Sequence, residues 1–353
     1  MSPLVLASDT ASELHTIATP GLWLGTILAV IGLLVFDFLI TRKPHEVSFK
    51  EALGWSAFYI ALPLAFGGWV WAAHGSETGV RYYTGYIVEK SLSVDNLFVF
   101  ILILSAFAVP RVLQQRVLLI GVAGAIVLRG IFIALGAGLI AAFDWTFLLF
   151  GAILIATAIK VLRDAMSSED EHVEPGEMRI VKVMSKVFPV SGEYAGTKAT
   201  VIMNGRRALT PLALVMAAII TTDLVFAVDS VPAVYGITAD PYLVFATNAF
   251  ALLGLRALYF VLEGALSKLV HLGYGLSVIL AFIGVKLVLH WAHGVWEGVP
   301  TIPTTWSLVV IVGVLVITTV TSLRASRKAE EAELAEEHAE FIDPTPGPGR
   351  PGA

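Results

Sequence analysis

Two octapeptides in otherwise apolar stretches hold the residues best suited to chemistry. EKSLSVDN, Glu89 to Asn96, and DLVFAVDS, Asp223 to Ser230, each place two carboxylates six residues apart, so that Glu89 corresponds to Asp223 and Asp95 to Asp229. An ionised carboxylate deep in hydrocarbon costs at least about 2.5 to 3.5 kcal/mol on insertion scales, so four of them demand cations. The chain has its own: Arg129 in LRGIF, Arg256 in LRALYF, Lys160 in IKVL and Lys286 in VKLVL match the acids one for one. Charge pairs of that kind would do no more than hold helices together. The alternative is a hard divalent cation, for which Glu89, Asp95, Asp223, Asp229, Asn96, the hydroxyls of Ser93 and Ser230 and backbone carbonyls are all oxygen ligands. Soft metals fit poorly, because there is no cysteine and His290 and His293 fall near a membrane edge. Asp37 is expected to snorkel or pair beside Arg42 and Lys43. Asn248 reads equally as an interhelical hydrogen bond or a ligand. No nucleophile accompanies a base, so neither enzymatic chemistry nor a resident cofactor is expected.

The elements that carry these residues are set by a membrane. Hydrophobic residues make up 57% of the 353-residue chain and charged residues 14%, with a mean hydropathy of +0.81. A soluble domain carries about 25% charged residues. Nine apolar segments are long enough to cross a hydrocarbon core: 22–40, 52–73, 83–109, 117–140, 145–163, 211–234, 241–262, 272–292 and 306–323. With the N-terminus outside, the short inner connections hold Arg42, Lys43, Lys50, Arg111, Arg116, Lys268, Arg324, Arg327 and Lys328, and the outer ones only Arg81. This asymmetry predicts a cytoplasmic C-terminus in a bacterial inner membrane, with Trp23, Trp69, Trp71, Trp145, Trp291, Trp296 and Trp306 near the outer boundaries. The net charge of −5 lies largely in polar segments, and no basic patch points to nucleic acid.

The order acid, acid, Arg, Lys recurs on three successive spans, twice. Three is odd, so the second unit must enter from the opposite face, which makes the expected fold an all-α membrane protein with two inverted three-helix repeats. The expected divisions are a two-helix segment over 1–82, repeats over 83–164 and 211–292, a cytoplasmic linker over 165–210, a last span within 293–323 and an acidic, Pro/Gly-rich tail over 324–353. Within the linker, 178–188 has the period of a surface helix, and Asn204-Gly205 predicts a hairpin turn. Asp95 and Asp223 are expected at one mid-membrane depth, with Glu89 and Asp229 roughly 9 Å outward. Because six residues turn an ideal helix by 240°, the two acids of one helix do not share a face, and Pro232 is expected to unwind the turn at Asp229.

At GYIVEKSLSVDNLFVF, GAIVLRGIF, FAVDSVPAV, NAFALLGLRALYF and FIGVKLVL the sequence resembles the TerC family, and within it the Alx-type members. The resemblance implies inverted repeats and manganese(II) export or metal supply to exported proteins, with an association to tellurium resistance. It also assigns the family's acids to Glu89, Asp95, Asp223 and Asp229. The expected partners are the lipid bilayer and a divalent cation, with Mn2+ as cargo, along with a homo-oligomer or other membrane and cytoplasmic proteins. The rival expectations are a non-transporting scaffold and an exporter of small organic cations.

Overall fold

The structure, a computed structural model, describes residues 16–40, 47–166, 174–203, 205–263, 270–296 and 298–342, without the side chains of 330 and 333–342. Arg42, Lys43, Lys268, Asn204, most of the acidic linker and the Pro/Gly-rich end of the tail fall outside the described residues. Among the described residues the regular elements are all helices apart from one hairpin. Its elements run α1 (Pro20–Ile40), α2 (Phe49–Ala106), α3 (Arg111–Ala142), α4 (Thr146–Met166), α5 (Arg179–Val187), β1 (Thr200–Met203), β2 (Arg206–Leu209), α6 (Pro211–Tyr235), α7 (Pro241–Leu253), α8 (Leu255–Leu262), α9 (Leu272–Val295) and α10 (Thr304–Ile342).

Among the described residues, α1, α3, α4, α6, α9 and Thr304–Ala329 of α10 are long and apolar enough to cross a membrane, and α7 with α8 makes a seventh if the bent pair is one span. Side chains such as Val127, Val225 and Ile317 stand more than 60% exposed on these helices, so their outer faces call for hydrocarbon rather than water. The segment expected as one span over 241–262 bends by 44° at Gly254. A side chain there would drive its Cβ to 2.8 Å from Cβ of Tyr59, so the bend sits where α2 presses against the chain.

α2 is 58 residues long and covers both segments expected at 52–73 and 83–109. A straight helix of that length would run to roughly 87 Å. It breaks at Gly75, whose φ of 87° lies in the left-handed region open to glycine. Two antiparallel limbs result, recorded by Tyr82 and Tyr83 donating to the carbonyls of Pro63 and Leu64 at 3.1 and 2.8 Å.

The helices pack in exchanged pairs. The second limb of α2 lies on α7, where Lys90 Nζ donates to the Ala251 carbonyl at 3.1 Å. α6 lies on α3, where Tyr235 donates to the Ile133 carbonyl at 2.7 Å. α4 and α9 cross at Gly151 and Gly284, so closely that a Cβ on either glycine would come within about 3 Å of the other's carbonyl oxygen. α1 is fastened to α7 by Thr16 Oγ1 and the Ile17 N–H, each 2.8 Å from Asp240, and by Thr26 against Tyr242 at 2.7 Å. The expected linker helix and hairpin are α5 and β1–β2, which pair in antiparallel register from Thr200↔Leu209 to Met203↔Arg206. Tyr194 moors this module to the end of α2 by donating to the Phe107 carbonyl at 2.7 Å, and burial raises its phenol pKa.

Candidate functional site

The repeated acids converge on one arginine. Arg129 lies on α3 and is 1% exposed. Its planar guanidinium offers five donors in a fixed fork, the shape that grips carboxylates with two parallel bonds. Nε and Nη2 donate to Asp223 of α6 at 3.1 and 3.0 Å. Nη1 donates to Glu89 of α2 and to Ser230 Oγ of α6, the latter at 3.0 Å. Asn96 of α2, with its amide oriented by its neighbours, donates to the Leu92 carbonyl and accepts from Arg129 Nη2, both at 3.1 Å. Glu89, Asn96, Asp223 and Ser230 are all buried.

The acid that shares a cation with Asp223 is therefore Glu89, where the sequence had paired Asp95 with Asp223 by depth. Depth along a helix is legible from position, but the direction each side chain faces is decided by packing. The second acid of each pair is less enclosed. Asp95 and Asp229 are half-buried, as the 240° rotation between partners requires. Asp229 Oδ1 accepts from the Ser230 N–H at 3.1 Å, and Arg129 and Lys160 lie within electrostatic reach of it. α6 stays helical through Pro232, so the expected unwinding at Asp229 does not occur. Pro232 still has no N–H to give the Val228 carbonyl.

The matching of cations to acids also differs from one for one. Arg129 serves two acids. Arg256 on α8 pairs instead with Asp37 of α1, Nε to Oδ2 at 2.9 Å, so Asp37 is a buried partner of the second half of the chain rather than a snorkelling residue. Lys286 donates to Ser307 Oγ at 3.1 Å, and Lys160 is exposed on α4.

Some polar atoms at the centre are left over. Glu89 Oε2, Ser93 Oγ and both amide atoms of Asn248 are buried without a hydrogen-bond partner among the described residues. Among those residues no three His, Cys, Asp or Glu side chains come close enough to hold a metal ion; the two carboxylates that meet share Arg129. The arrangement is thus a buried, oxygen-rich cluster gathered around the guanidinium of Arg129.

The family model for the integral membrane protein TerC family matches residues 74–330. A membrane protein of Myxococcus xanthus described as uncharacterized is 42% identical over 275 residues, covering 78% of this chain and 85% of that protein. Another from Mycobacterium tuberculosis H37Rv is 42% identical over 301 residues, covering 82% of this chain and 76% of that protein. A protein of Escherichia coli K12 named "Putative membrane-bound redox modulator Alx" is 39% identical over 314 residues, covering 86% of this chain and 94% of that protein. No solved structure matches the chain. On these grounds the chain belongs to the TerC family of integral membrane proteins.

Proposed function

We propose that the chain is a transporter that exports a divalent metal cation, Mn2+ foremost, through a carboxylate site between two inverted repeats. The observation that carries this reading is that Glu89 and Asp223, the first acids of the two repeats, meet deep inside the protein with oxygen ligands to spare. A bridge serving only to hold helices would saturate its oxygens, since an unpaired buried polar atom costs stability. If both limbs of α2 cross along with the bent α7–α8 pair, the described helices make nine crossings; an odd number puts the termini on opposite faces, and the basic residues orient the N-terminus outside. The exchanged packing of α2 on α7 and α6 on α3 supports inverted repeats, as does the crossing of their third helices, α4 and α9.

In this reading Arg129 neutralises the site when it is empty, and the cation takes its place. Carboxylates, Asn96 and the serine hydroxyls suit a hard ion. Having no cysteine, the chain cannot act on redox balance by thiol exchange of its own, so a redox role of the kind named for the Escherichia coli relative would here follow from the metal moved.

The test is Mn2+ efflux per inserted molecule from cells lacking the chromosomal gene, with wild type beside Glu89→Gln and Asp223→Asn. Efflux per inserted molecule should collapse in both variants, even where abundance falls because Arg129 is left underpaired. Normal efflux per molecule in both would remove the metal-site reading. Unchanged cellular Mn with and without the wild-type gene would favour a scaffold, and efflux of organic cations in place of Mn2+ the third class of function.

A further inference from the structure

Asn248 stands out among the buried polar groups outside the ion-paired cluster. It lies on α7, is 2% exposed, and neither its amide nitrogen nor its oxygen meets a hydrogen-bond partner among the described residues. It shares a small cavity with Arg129, walled otherwise by apolar groups such as Ile126, Ile133 and Phe245. Arg129 is the only other side chain in that wall with hydrogen-bonding groups, and since a guanidinium only donates, the group of Asn248 it can meet is the carbonyl oxygen. The cavity has no room for a water molecule, so solvent cannot satisfy the amide. A partner for Asn248 has to come from a side chain that moves.

Building on the transport reading, we propose that Asn248 is the acceptor for Arg129 in the cation-loaded state: the entering cation takes Glu89 and Asp223, and the displaced guanidinium, which already lines the same cavity, shifts to the Asn248 carbonyl oxygen as the apolar side chains of the wall give way. Asn248 is then a positioning residue that acts on the cargo through Arg129 and does not itself touch the ion. Without it, displacement strands a buried guanidinium, so the cation must overcome a larger cost to bind.

The experiment is a double-mutant cycle on the purified full chain. Mn2+ binding is measured by calorimetry for wild type, Asn248→Leu, Arg129→Gln and the double variant. Asn248→Leu should weaken binding about 10- to 100-fold, the range for losing a hydrogen bond to a charged group. In the Arg129→Gln background the same change should have no effect. An equal loss in both backgrounds would mean that Asn248 ligates the ion directly, and no loss in either would mean that it is unused; both overturn the proposal. A metal-free arm decides if wild type binds no Mn2+, in which case the transport reading fails by itself, or if Arg129→Gln does not fold. Asn248→Leu should leave the melting temperature unchanged or raised in wild type, where it removes an unpaired amide. It should lower the melting temperature in Asp223→Asn, where the arginine has lost its two-pronged partner and turns to residue 248. The same shift in both backgrounds overturns the proposal.

Discussion

Arg129 holds two carboxylates from two helices and leaves one oxygen of Glu89 free, so its removal and its conservative replacement should differ in kind. Arg129→Leu strands both acids and should cost about 3 to 5 kcal/mol, the range for breaking a buried pair by removing one partner. Arg129→Lys keeps the charge but replaces a planar fork with a point donor, and should fall between wild type and Leu. Melting of the detergent-solubilised protein in metal-free buffer checks the order. A Leu variant as stable as wild type would show that the guanidinium neutralises nothing. At the distant pair, Asp37→Asn should likewise lower stability by leaving Arg256 underpaired, and Asp37→Asn/Arg256→Gln should recover part of the loss. Residue types were legible in the sequence because a charge in an apolar run stands out and its repetition excludes chance. The pairing was not, because rotation about a helix axis and the choice of neighbour are settled by packing. Asp37 shows this plainly: two adjacent basic residues at 42 and 43 made a local partner plausible, yet it faces an arginine 219 positions away.

At the level of elements, apolar runs located the six or seven helices long enough to cross a membrane, and Asn-Gly located the hairpin. The breaks were hidden. At Gly75 the sequence shows only a polar connection, HGSETG, with nothing to reveal that helical structure resumes at once on the far side of a single residue. Gly254 reads as one more small residue in an apolar span, and its bend exists because Tyr59 of another helix arrives there. The close crossing of α4 and α9 makes a sharp prediction. Gly151→Ala would bring a Cβ to 2.8 Å from the Gly284 carbonyl oxygen, backbone that cannot give way cheaply. It should cost about 1 to 3 kcal/mol, the usual scale of overpacking. Gly138→Ala on α3 meets nothing within 4 Å and should be neutral or stabilising, since alanine favours helix over glycine. Thermal melts of the two variants, side by side, decide whether the crossing is as tight as drawn.

For the whole molecule, composition alone fixed the membrane as solvent, and the recurrence of acid, acid, Arg, Lys pointed to duplication. It did not show how α1 would be used. α1 lies outside the residues matched by the family model, yet it is fastened along α7 and α8 from Asp240 to Arg256. The inverted arrangement has a direct check in topology. A reporter inserted at Gly236, just past the end of α6, should be active only outside, and one following Arg327 only in the cytoplasm. Activity of both on one face would overturn the inversion and the exchange mechanism with it.

One feature of α10 reaches past the bilayer altogether. Of its 39 residues, 26 form the apolar stretch Thr304–Ala329, and the helix continues without interruption for 13 more. At the helical rise those 13 add roughly 20 Å of rod. Six of them are glutamates, which an anionic leaflet repels. A rod of that length would hold its far end off the lipid surface, and shortening it by whole turns would bring that end closer in steps of about 5.4 Å.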